Sequence, residues 1–169
     1  MDLTYERTEH FDGETAKAME IARNTLLPHG FEIIQSNESY LELANNSFPW
    51  GRNPNPIRMI SSAHISFGNG EITLRAELNN IKKIFLYLCL FIIGMAVFFI
   101  VTFGIVFVLK QHQPINKIVF LSLAPLAPWP FIIPIMSIWF KRAAHQTLDT
   151  LMNNMLSVSQ SSMSERYIR

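Results

Sequence analysis

The chain has 169 residues, 49% of them apolar and 16% charged, and a formal net charge of +1. That figure sums two unlike halves: residues 1–83 carry eight Lys/Arg against eleven Asp/Glu, and residues 84–169 carry six against two. The first half has no basic cluster suited to a phosphate backbone, so nucleic acid is not an expected partner. The only cysteine, Cys89, lies in an apolar run, leaving no disulfide framework and no Cys/His ligand spacing.

The first residues, MDLTYERTEHFDGE, are acidic and polar and do not read as a cleavable signal peptide. Leu3 to Glu9 reads as a short edge strand. Asp12 offers a helix N-cap, with Glu14 in the first turn where the helix dipole favours negative charge. Ala16, Met19, Ala22 and Leu26 recur at helical spacing, and Pro28-His29-Gly30 stops the helix.

Phe31–Ile34 and Tyr40–Leu43 read as two strands across Ser36-Asn37-Glu38. A clearer hairpin follows. Ala63, Ile65 and Phe67 alternate with polar residues, Gly68-Asn69-Gly70 turns the chain, and Ile72, Leu74, Ala76 and Leu78 alternate again. The head is therefore predicted to be α+β, in the order β-α-β-β-β-β, with one helix on an antiparallel sheet. Between the two hairpins, residues 45–57 contain Pro49, Pro54 and Pro56 and read as a loop. Phe48, Trp50 and Arg52 form its candidate interaction tip. Such a tip touches a ligand or a membrane, or folds back to cap a small core.

Ile84 to Leu109 are 26 positions without a charge, opened by Lys82-Lys83 and closed by Lys110. As a helix this run is about 39 Å long, more than a bilayer's hydrocarbon core. Phe99, Phe103 and Phe107 make an aromatic stripe along it, read as lipid-facing bulk. A second uncharged run, Ile118 to Phe140, lies between Lys117 and Lys141-Arg142. It holds Pro125, Pro128, Trp129, Pro130 and Pro134, which predict a helix break between about Pro125 and Pro130. Non-helical backbone at that depth lines a cavity or is covered by protein. Alternatively, the prolines lead into a helix that starts near Pro128 and carries Lys141 snorkelling.

Leu148, Leu151, Met152 and Met155 then form a stripe on an amphipathic helix, suited to another copy or to the head, before a polar tail from Ser157. Arg75, Lys82, Lys83, Lys141 and Arg142 outnumber Lys110 and Lys117, which predicts both termini in the cytoplasm. The expected division is a cytoplasmic head over 1–82, transmembrane helices over 83–110 and 118–140, an extracytoplasmic loop over 111–117, and a cytoplasmic helix and tail over 141–169. No nucleophile elbow, phosphate loop or metal spacing is present, and the five histidines are scattered. The expectation is an inner-membrane module without catalysis, metal or cofactor, which binds a protein partner or forms a homo-oligomer. The alternative is a channel or transporter component built on the proline-rich span.

Overall fold

The computed structural model describes residues 3–46, 55–110, 124 and 127–167. The chain forms two compact units, one of residues 1–82 with 139–169 and the other of residues 83–138.

The first unit is built on a five-stranded sheet: β1 (Thr4–His10), β2 (Glu32–Ser36), β3 (Tyr40–Ala44), β4 (Ser62–Gly68) and β5 (Glu71–Glu77). Their order is β1-β5-β4-β3-β2, and every pairing is antiparallel. β2 to β5 form a meander. Helix α1 (Thr15–Leu26) carries the chain from β1, at one edge, to β2, at the other. The α+β class is as the alternation predicts.

The β4–β5 turn shows why its residues are what they are. Asn69 and Gly70 both have positive φ, 55° and 76°, the pattern of a type I′ turn, which matches the twist of the flanking strands. Helix α1 starts later than Asp12 suggests, with Glu14 at the N-cap. Asp12 is instead engaged by His10, Nε2 to Oδ2 at 2.9 Å, while the Glu14 carbonyl accepts the Lys17 and Ala18 amides.

Register gathers the apolar residues on one face. Tyr5 stands opposite Ala76, Ala76 opposite Ala63, and Ala63 opposite Leu43; the next row is Arg7, Leu74, Ile65 and Leu41. Apart from Arg7, which is half-buried, all of these are buried. The other face is polar, with Glu6, Arg75, His64 and Glu42 in one row across four strands.

Sequence periodicity gives the apolar face a single helix, yet the five strands need more cover. Their outer axes lie about 19 Å apart, whereas a helix with its side chains is roughly 10 Å wide. α1 buries Ala18, Met19, Ala22 and Leu26, and Arg23 reaches Ser36 Oγ at the β2 end. The β1 end is covered by the C-terminal part of α3 (Trp129–Tyr167), which buries Ala144, Leu148, Leu151, Met152 and Met155. Residues 139–169 thus belong to the same unit as the head.

Helix α2 (Asn79–Lys110) follows β5 after a single intervening residue, Leu78, and continues unbroken. It begins four residues before Lys83 because two adjacent lysines do not interrupt a helix. Its segment Asn79–Ile105 is long and apolar enough to cross a membrane, the one such helix among the described residues. The predicted two-helix hairpin reaches beyond them: 111–123 lie outside the described residues. α3 starts at Trp129 after a turn in which the Ala127 amide meets the Ala124 carbonyl, and it keeps Pro134 in its interior.

Candidate functional site

Two clusters of polar side chains fix the head's shape, and neither stands out as a sequence motif. The first joins β1 to α3. Tyr5 and Arg7 sit two apart on β1 and therefore share a face. Asp149 Oδ1 accepts the Tyr5 hydroxyl at 2.6 Å and Arg7 Nη1 at 3.1 Å. The Arg7 Nε and Nη2 both reach Glu9 Oε1 at 2.9 Å. The His145 ring meets the Tyr5 ring edge-on, centroids 5.3 Å apart, one helical turn before Asp149. Burial, followed by the hydrogen bond to Asp149, pushes the Tyr5 hydroxyl up to about 12. The hydrogen bond to Glu9 is the main force holding Arg7 above its ordinary range.

This clasp has a pH signature. The folded value of Tyr5 lies above its ordinary 10.0, so its contribution to stability is complete below that pH and is lost as the pH climbs towards about 12. Tyr5→Phe is expected to flatten the fall in stability over that window. Equal alkaline slopes in thermal unfolding of the parent and Tyr5→Phe would remove Tyr5 from this role.

The second cluster pins both ends of the proline-rich loop. Asn80, fully buried in the first turn of α2, points its Nδ2 at the carbonyls of Arg58 (3.0 Å), Ile60 (3.2 Å) and Asn45 (3.5 Å). The Asn45 amide meets the Ser61 carbonyl at 2.8 Å, and its side-chain Nδ2 reaches the His29 carbonyl at 3.4 Å. Asn55 faces His29 Nδ1 at 3.4 Å and caps the short helical turn Pro56–Met59 by accepting the Ile57 amide. Loop entrance, loop exit, the end of α1 and the start of α2 therefore meet around three asparagines and a histidine.

On the polar sheet face, the Tyr40 hydroxyl bonds Glu42 Oε2 at 2.9 Å and His64 Nδ1 at 3.1 Å. Burial, then Glu42, raises the Tyr40 hydroxyl above its ordinary range. His64 is thus on the polar face, as the alternation predicts, and is also held there by its neighbours. Among the described residues, no three His, Cys, Asp or Glu side chains are grouped to hold a metal ion.

The residues singled out in the sequence have different fates. Phe48, Trp50 and Arg52 lie outside the described residues, as does Pro125. Pro128 precedes α3, and its carbonyl accepts the Phe131 and Ile132 amides at 3.1 Å. Trp129 and Pro130 open the helix, and Pro134 is exposed on it. Leu148, Leu151, Met152 and Met155 come together as one buried stripe. Tyr5, Arg7, Asp149 and Asn80 escape sequence reasoning because each takes part through a partner distant along the chain. The only sequence signal for the clasp was the apolar stripe around Asp149, which required some surface to cover it.

Compared with known proteins, the chain matches no family model, no curated protein and no solved structure.

Proposed function

We propose that the chain is a non-catalytic integral membrane module whose cytoplasmic head, completed by the C-terminal part of α3, binds a protein partner or further copies of itself. The supporting observation is α2. Leu86, Phe91, Ile93 and Phe98 are each 59–60% exposed on a helix with the length of a span. Apolar surface on that scale demands lipid or protein around it. In this reading α2 and the apolar run ending at Phe140 form a two-helix hairpin in the inner membrane, with both termini cytoplasmic. The chain's return to the head at Trp139 supports an even number of crossings. The stripe on α3 is spent inside the head, so partner contact falls to α2 and to the open polar face of the sheet.

The topology is tested with single cysteines in a Cys89→Ser background. A cysteine at Gln113 is expected to react with an impermeant thiol reagent added outside intact cells, and one at Glu38 only after lysis. Labelling of both in intact cells would sink the hairpin. The partner claim is tested by mass in mild detergent, where a bare monomer retaining no other protein would count against it. The rival, a conducting path beside the proline-rich segment, predicts that a cysteine at Trp129 reacts with water-soluble reagents in the membrane. A dry kink leaves it inert.

A further inference from the structure

The chain passes between its two units twice, at Lys82/Lys83 on α2 and at Ile138/Trp139 on α3. Both crossings carry the same succession of chemistry although the helices run in opposite chain directions. Leaving the head along α2, Lys82 and Lys83 come first, then Ile84, Phe85 and Leu86, then Tyr87 and a further apolar run; Lys82, Lys83 and Tyr87 are exposed. Leaving the head along α3, Arg142 and Lys141 come first, then Trp139, 59% exposed, then Ile138 and Ile135. Cation, amphipathic aromatic and aliphatic in that order trace the layers of a membrane surface: phosphate, headgroup–acyl boundary, hydrocarbon. From Tyr87, about 20 residues cross a hydrocarbon core and end near Phe107, just short of Lys110.

We propose that each crossing binds the phosphate groups of anionic phospholipids, through the exposed Lys82 and Lys83 on α2 and the exposed Arg142 on α3. The inference rests on the membrane reading above and deepens it. Charge complementarity selects the occupant. Residues 1–83 carry a surplus of three acidic charges, yet their last two residues are lysines, and the next cations on the returning helix are Lys141 and Arg142. An anionic leaflet meets cations at both crossings, where a zwitterionic one offers them no net attraction. Each interfacial Lys or Arg strengthens attraction to an anionic leaflet on the order of fivefold, an effect that salt weakens.

The test uses the full chain in vesicles of phosphatidylcholine with or without phosphatidylglycerol, followed by detergent transfer and native mass spectrometry of the retained lipid. The parent is expected to retain phosphatidylglycerol over phosphatidylcholine at least roughly tenfold beyond their mixing ratio. The triple variant Lys82→Gln/Lys83→Gln/Arg142→Gln, altered only at exposed positions, is expected to lose that preference and stay folded. Lipid retained in the mixing ratio by the parent overturns this proposal, and so does an undiminished preference in the variant. Release of the parent from both vesicle types by alkaline carbonate is a different failure, because it overturns the membrane reading itself.

Discussion

Residues 1–82 produced without 139–169 are expected to show no cooperative unfolding transition. The β1 end of the apolar face is covered by Leu148, Met152 and Met155, all at 0% exposure, with Leu151 at 3%. Truncating a single buried Leu or Met to Ala costs about 2–5 kcal/mol. Removing four at once exceeds what a head of this size holds in reserve, since whole domains are stable by only about 5–15 kcal/mol. The informative comparison joins Lys82 to Trp139 by a flexible linker that replaces 83–138. That chimera should regain a sharp urea transition, and Leu148→Ala or Met152→Ala within it should each lower its stability by about 2–4 kcal/mol. A sharp transition in 1–82 alone, with the chimera's midpoint, would mean that α3 only rests on a head already complete.

The second large effect is expected at Asn80. Its amide is the donor for the carbonyls of Arg58 and Ile60 and lies within reach of Asn45, in a place closed to water. Asn80→Ala strips those carbonyls of a partner and should cost roughly 2–3 kcal/mol, because a buried unpaired acceptor loses its solvation without compensation. Asn80→Asp should be worse, since a carboxylate would face carbonyl oxygens. The neighbour supplies the control. Asn79 Nδ2 reaches the half-buried Glu77 carboxylate, so Asn79→Ala should cost less than about 1 kcal/mol. Hydrogen exchange locates the damage: the Asn45 amide, bonded to the Ser61 carbonyl, should lose protection in Asn80→Ala and keep it in Asn79→Ala. Protection at Asn45 unchanged in both would detach Asn80 from the loop.

Sequence periodicity captured the local parts of this fold. The β4–β5 hairpin was legible because alternation and an Asn-Gly turn are both written within sixteen consecutive residues. The position of β1 beside β5 was not, because its register depends on pairings more than sixty residues away along the chain. The stripe on α3 was legible as a stripe, yet periodicity names no surface for it to cover. Sheet width could have supplied that surface, since five strands exceed the reach of one helix. Asn80 was invisible for a different reason: an asparagine beside a lysine pair reads as a solvated helix start until the folded chain encloses it. Of the candidate interaction loop, the stems at Asn45 and Asn55 are held by hydrogen bonds, and Phe48, Trp50 and Arg52 lie outside the described residues.

The clasp between Tyr5 and Asp149 joins residues 144 positions apart, and this separation sets a schedule for biosynthesis. The ribosome has made the whole sheet by Glu77, yet the β1 end of its apolar face stays bare until residues 144–155 have emerged. Everything between, including the most apolar stretch of the chain, must be made and accommodated first. A nascent chain stalled in that interval displays an uncovered sheet face, the kind of surface that chaperones hold and proteases sample. Closure of the core therefore waits on the synthesis of residues 83–138, although none of the buried stripe at 148–155 belongs to them.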